Sequence, residues 1–222
     1  YHQRLDAKGV NYANHLHEVS GKSEIKEGKS FMLLQNHSTN TTIRFTEDGS
    51  EPTVNSTIYK GLIPINKSVT IKAASFNETS KVSSLFEQSI NLHKAVGKNI
   101  SLNVAPNERY SARGNASIIN GISGSNQRFN DNEWLGFDGK DVEITIDLGK
   151  ETEVNSISTR FNNQHGSWIY APSQVVVSFP ENEEYLPIEI EQSQEKMIDL
   201  KLDTKIHTRY IKLKIVNYGI IP

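Results

Sequence analysis

The sequence predicts an all-β chain built as two successive domains, and three observations carry that prediction. Apolar residues recur at every second position: Val69, Ile71 and Ala73 in "VTIKA", and Val142, Ile144, Ile146 and Leu148 in "DVEITIDLG". Short runs of this kind alternate with turn-forming Gly, Pro, Asn and Asp at close spacing, which is the pattern of a sandwich. No helical period longer than a turn follows Gly21. A length of 222 residues leaves room for two cores.

The elements follow in order. Residues His2 to Lys8 are good helix formers, and Gly9 stands where a left-handed residue ends a helix, so a short N-terminal helical remnant is expected. It is too short to stand alone. From about Ser23 to Asn91 come the strand candidates "SFMLLQN", "TTIRFTEDG", "STIYKG", "SVTIKAASF" and "SSLFEQSINLH". Lys94 to Gly114 is a break in composition, expected as the linker and the entry into a second domain. Beyond it, Asp141, Glu143, Thr145 and Asp147 alternate with the apolar set of "DVEITIDLG" until Gly149 ends the run. The alternation returns in "ISTRF", "QVVVSF", "MIDLKL" and "YIKLKIV". The expected divisions are 1–20, 21–93 and 94–222.

Composition removes several classes of function. A net charge of −2 and a pI near 6.4 give no basic footprint for nucleic acid or anionic lipid. Cysteine is absent, which excludes disulfides, thiolate nucleophiles and cysteine-bound zinc. No run approaches the roughly 20 apolar residues of a membrane-spanning helix, so no membrane insertion is expected. The N-terminus has neither Met nor a signal-peptide core, and the chain is expected to begin in mid-protein. Seven N-x-S/T triplets, at Asn36, Asn40, Asn55, Asn66, Asn77, Asn99 and Asn115, say mainly that the surface is polar loop.

The candidates for chemistry are few. Glu47, Asp48 and Glu51 cluster in "TEDGSEPT", but catalytic carboxylates need environments that separate their pKa values, and Asp48-Gly49 with Pro52 marks a turn. His15, His17 and Glu18 fall short of a converging zinc set. "GISGS", from Gly121 to Ser125, fails the nucleophile-elbow pattern and is expected to be a flexible loop. "GKS" lacks the upstream glycine of a phosphate loop. The two tryptophans say more. Trp134 is read as covering the core beneath its loop. Trp168, in "FNNQHGSWIYAP", could cap a core in the same way or present a flat apolar face to a sugar ring while Gln164, His165 and Arg160 bond its hydroxyls.

Two families match these motifs. "IRFTEDGSEPTVNSTIYKGLIPINKSVTIKAASF" resembles the chitobiase/β-hexosaminidase C-terminal domain in Thr46, Asp48, Gly49, Ser50, Pro52, Thr53, Ser56, Tyr59 and Thr70 to Ala73. The resemblance implies an immunoglobulin-like β-sandwich and makes the acidic cluster a family turn without catalytic role. From about Leu102 onward, "NGISGS", Trp134 ahead of "VEITIDLG", "ISTRFNNQHGSWIYAPSQVVVSF" and "RYIKLKI" resemble the discoidin or coagulation-factor type C domain. That implies a galactose-binding-like jelly roll whose end loops bind glycans. It also implies a structural calcium site near Asn120, although Asn120-Gly121 stands in place of the family's Asp-Gly.

"YHQRLDAKGVNYANH" is similar to the last helix of a family 20 glycoside hydrolase barrel. A parent of that kind would hydrolyse β-N-acetylhexosaminides with an adjacent Asp-Glu pair, which nothing in this sequence matches. The resemblances together imply a non-catalytic C-terminal region of a secreted, periplasmic or cell-surface bacterial β-N-acetylhexosaminidase. Its expected partners are a glycan and its own upstream catalytic domain, and no catalytic residue or cofactor beyond that calcium is expected. The alternative is that both domains only buttress the barrel, with Trp168 packed against protein.

Overall fold

A computed structural model of the chain describes residues 14–129, 131–182, 184–191 and 193–219. The helix expected over His2 to Lys8 lies outside the described residues. The described chain is all-β, with helical structure confined to 3-10 turns such as Asn14–Leu16. It divides into two units, Tyr1–Leu92 and His93–Pro222.

The described residues of the first unit form seven strands: β1 (Ser20–Lys26), β2 (Lys29–Gln35), β3 (Thr42–Thr46), β4 (Thr57–Ile58), β5 (Ile63–Ile65), β6 (Val69–Phe76) and β7 (Phe86–Ile90). They form two antiparallel sheets, β1-β2-β5 and β4-β3-β6-β7. Met32, Leu34, Ile43, Phe45, Ile63, Ile65, Ile71 and Ala73 are buried. Each large member gains roughly 1.5–3 kcal/mol from leaving water. The β1–β2 hairpin turns through Glu27 and Gly28, both at positive φ (50° and 73°), which matches the twist of the flanking strands. Residues 15–20, which the expected divisions place in the separate segment 1–20, fall within this unit. The carbonyl of His17 accepts from Ser75 Oγ (2.5 Å), Val19 is buried, and Ser20 opens β1.

The described residues of the second unit form five strands: β8 (Asn99–Leu102), β9 (Val142–Asn162), β10 (Gln174–Phe179), β11 (Glu184–Glu189) and β12 (Met197–Val216). They make one antiparallel sheet in the order β11-β10-β12-β9-β8. "DVEITIDLG" and "ISTRF" are the two halves of β9, and "MIDLKL" and "YIKLKIV" the two halves of β12. The β9–β12 register slips between Asp203 and Ile206 and again between Thr208 and Tyr210.

Such bulges bend a strand and re-aim its side chains. Val142, Ile144, Ile146, Leu148 and Val154 face the core at even positions before the slip, whereas Ile157 and Phe161 pack on it at odd positions after it. The layers implied by the jelly-roll resemblance thus take the form of a continuous sheet with two long, bulged strands. Glu181 fixes the second bulge by accepting from Thr208 Oγ1 (2.7 Å) and Arg209 N (2.9 Å). Arg209 in turn makes a two-pronged ion pair with Asp147 at 2.8 Å on both arms. That guanidinium holds the Asp147 carboxyl down to about 2.

Candidate functional site

The acidic turn is built for structure. Asp48 accepts from Ser50 Oγ (2.6 Å) and Ser50 N (3.0 Å), Gly49 takes φ +79°, and Thr46 Oγ1 closes onto the Ser50 carbonyl (2.5 Å). The Ser50 hydroxyl, and then its N–H, hold the Asp48 carboxyl below its usual range. Glu51 pairs with Lys81. Ser56 Oγ accepts from Thr53 N (2.9 Å), and Arg44 Nη1 donates to the Ser56 carbonyl (2.8 Å). Tyr59 lies edge-on to Phe45, and its hydroxyl accepts from Leu34 N (3.1 Å), tying the β2 sheet to the segment after β4. These residues of "T-x-D-G-S…S..Y" each close a turn or join the two sheets.

Where "GISGS" was expected to be a flexible loop, hydrogen bonds tie Ser125 to Gln127, Asp131 and Trp134. Asp131 accepts from Ser125 N (2.7 Å) and Glu133 N (2.9 Å), and Ser125 Oγ accepts from Gln127 N (3.1 Å). Trp134 donates Nε1–H to the Ser125 carbonyl (3.1 Å) and lies against Gly124, where a Cβ would stand 2.3 Å from the indole. The glycine is there to let the ring in.

Asn120, the expected calcium position, is buried with both ends of its amide in use. Nδ2 donates to Glu133 Oε2 (2.6 Å), and Oδ1 accepts from Ile122 N (2.8 Å). Burial is the leading influence on Glu133 and pushes its carboxyl up, against the opposing hydrogen bond from Asn120 and the charge of Arg113. Calcium takes six to eight oxygens. Here the amide turns N–H toward the Glu133 carboxylate, and no group of three His, Asp or Glu residues able to hold a metal occurs among the described residues. As arranged, these side chains do not fit calcium.

The Trp168 region differs in kind. The 3-10 turn His165–Ser167 follows β9, and Trp168 closes it in the left-handed conformation (φ 60°, ψ 29°), its N–H bonded to the His165 carbonyl (3.0 Å). A bulky residue in that conformation costs about 1–2 kcal/mol. The side chain recovers little of this by burial, being 74% exposed. His165 stacks on Tyr170 with centroids 4.5 Å apart, and Tyr170 meets Tyr218 at 4.8 Å. Tyr218 arrives because β10 pairs with the end of β12, where Ser173 N and Oγ bond the carbonyls of Val216 and Asn217 (both 3.0 Å).

Beneath the turn lies Asn163, buried and bonded at four points. Its Oδ1 meets His165 Nε2 (2.9 Å) and Ala171 N (3.2 Å), while Nδ2 donates to the carbonyls of Ser193 (3.0 Å) and Glu195 (3.1 Å). Gln164 is half-buried and lends its carbonyl to Ser167 N (2.8 Å). Arg160 is bound elsewhere: Nε and Nη2 grip Asp199 (2.7 and 3.0 Å) and Nη1 reaches Asn126 (3.0 Å). Trp168, His165 and Gln164 therefore share one turn, and Arg160 braces the neighbouring strand pair.

Tyr170, Tyr218 and Asn163 were not singled out by sequence reasoning. The aromatic density of "WIYAP" was a usable signal for Tyr170; Tyr218 needed the β10–β12 pairing. Two grooves lie elsewhere, one bordered by His17, His37, Asn77 and Lys81 and one by Glu108, Arg109, Asp138 and Lys140. The Trp168 face borders neither of them and is an open platform.

Residues 24–87 match the family model described as the Chitobiase/beta-hexosaminidase C-terminal domain, under a third of the chain. No curated protein matches the chain. Among solved structures, a fucose binding module of Streptococcus pneumoniae is 15% identical, covering 59% of this chain and 88% of its own, at a TM-score of 0.42. Chitosan-binding module 1, derived from a chitosanase/glucanase of Paenibacillus sp. IK-5, is 15% identical over 57% of this chain and 88% of its own, at 0.37. A structure titled "Glycoside hydrolase" is 9% identical over 89% of this chain and 56% of its own, at 0.34. Likeness at this level fixes neither a ligand nor a residue of the site.

Proposed function

We propose that the chain is a non-catalytic, carbohydrate-binding accessory region of a glycoside hydrolase, and that the second unit binds glycans on the Trp168 platform. One observation carries the reading: Trp168 bears two costs together, a left-handed backbone and a largely exposed side chain, and packing offsets little of either. An exposed indole in the same turn as the half-buried His165 and Gln164 suits a sugar, whose C–H face stacks on the ring while its hydroxyls find polar partners. The parent is proposed to be a family 20 β-N-acetylhexosaminidase acting outside the cytoplasm in a secreted, periplasmic or cell-surface setting. The family match over residues 24–87 supports the accessory role. Binding there would raise the effective concentration of catalyst at its substrate without lowering a barrier.

Titration of the chain with N-acetylglucosamine- and galactose-terminated glycans, followed by the Trp168 indole resonance and by calorimetry, tests the reading. Binding that Trp168→Gly abolishes is expected, and because glycine relieves the left-handed strain that variant should be more stable by about 1 kcal/mol. Absence of binding at millimolar sugar overturns the proposal and leaves the buttress reading, in which a catalytic domain covers Trp168.

A further inference from the structure

We infer that Asn163 is the positioning residue of this site: it fixes the tautomer of His165, so that the ring offers Nδ1 as an acceptor to a hydroxyl the ligand donates. The inference rests on the carbohydrate reading and adds to it the polarity of one ligand contact.

The argument is a count of donors and acceptors. The carbonyls of Ser193 and Glu195 can only accept, so the Asn163 atom facing both is the amide nitrogen. The N–H of Ala171 can only donate, so the atom facing it is the amide oxygen. The orientation of Asn163 is thereby set twice over, without appeal to His165. The oxygen that lies 2.9 Å from His165 Nε2 has no proton to give, so Nε2 must carry one. In a neutral imidazole the second nitrogen is then an unprotonated acceptor. Nδ1 has no partner among the described residues and, unlike His17 Nδ1, is not buried. The stack with Tyr170 and the edge contact with Tyr218, at 6.1 Å between centroids, hold the plane of the ring. A ligand hydroxyl in the ring plane can donate to Nδ1, whereas a ligand offering only acceptors there meets a lone pair. Asn163 supplies this through His165 and touches no ligand itself.

The test is nitrogen NMR of histidine-labelled chain above the pH at which imidazole protonates. In the free wild-type chain, His165 should show a protonated Nε2 and an unprotonated Nδ1, and the exchange-averaged mixture of both tautomers should appear in Asn163→Ala. A wild-type ring found as Nδ1–H, or as that same mixture, overturns the inference, and this measurement needs neither variant nor ligand. Titration with methyl galactoside or N-acetylglucosamine should then move the Nδ1 resonance together with the Trp168 indole. An indole that moves while Nδ1 stays put overturns the inference and leaves the carbohydrate reading standing. If neither moves, both fall together.

Discussion

Replacing Gly124 by Ala should destabilise the second unit through one contact. Gly124 is not among the positive-φ residues, so alanine suits its backbone and would by itself add about 0.4–1 kcal/mol by restricting the unfolded chain. The methyl group, however, would sit 2.3 Å from Trp134 Cε2 and 2.5 Å from Nε1, where non-bonded carbons prefer about 3.5–4 Å. The indole must retreat by about 1 Å, which stretches its 3.1 Å bond to the Ser125 carbonyl beyond hydrogen-bond range. Overpacking costs about 1–3 kcal/mol and the lost bond about 1 kcal/mol, so the net loss should be roughly 1–3 kcal/mol. For a unit of this size that is a fall in Tm of roughly 3–15 °C. Thermal unfolding followed by tryptophan emission in a Trp168→Phe background, where Trp134 is the remaining indole, reads the effect directly. Adding Trp134→Phe, which makes room for the methyl group and moves the readout to calorimetry, should recover much of the loss and leave the pair non-additive. A change within about 0.5 kcal/mol, with Trp134 emission unaltered, would refute the reasoning.

Three further outcomes are expected. Tyr59→Phe removes the acceptor of the Leu34 N–H between the two sheets of the first unit and should cost about 1–3 kcal/mol in denaturant unfolding. Glu133→Gln keeps an oxygen for Asn120 while removing a carboxylate whose folded pKa burial raises. Because a raised carboxyl contributes stability below its unfolded pKa and loses it as pH rises through the folded one, the variant should gain stability at neutral pH, and the gain should vanish below the ordinary glutamate range. Asp147→Asn has the opposite sign. The Arg209 pair lowers this carboxyl to about 2, so its stabilisation is present above the unfolded aspartate pKa and lost as pH falls through about 2. Wild type and variant melting curves should converge there.

How much of this was legible depended on whether a signal was local. The alternation of Val142, Ile144, Ile146 and Leu148 is a property of consecutive residues, and it locates the start of β9 to the residue. Asp48, Ser50 and Thr53 bond partners within a few positions, so the turn could be identified from spelling alone. Joining "DVEITIDLG" to "ISTRF" could not, because Gly149 at φ +83° looks like the end of a strand when it is a corner within one. β11 escaped for a related reason. "EYLPIE" contains Pro187, which is disfavoured in central strands but tolerated on the edge that β11 occupies, and edge position is not written in the strand itself.

The site divides along the same line. Gln164, His165 and Trp168 could be nominated together because one turn holds them, yet what makes the turn specific is Asn163, whose partners stand 30 and 32 positions away at Ser193 and Glu195. Arg160 was nominated on proximity in sequence, and its guanidinium answers instead to Asp199, 39 positions on, through the β9–β12 register. A β strand sends alternate side chains to opposite faces and takes its neighbours from distant segments, so nearness along the chain predicts nearness in space only within a turn. In a fold of this kind a residue exposed on a turn can be picked out from sequence, whereas a residue that fixes its neighbours from below is found only once the strands are paired.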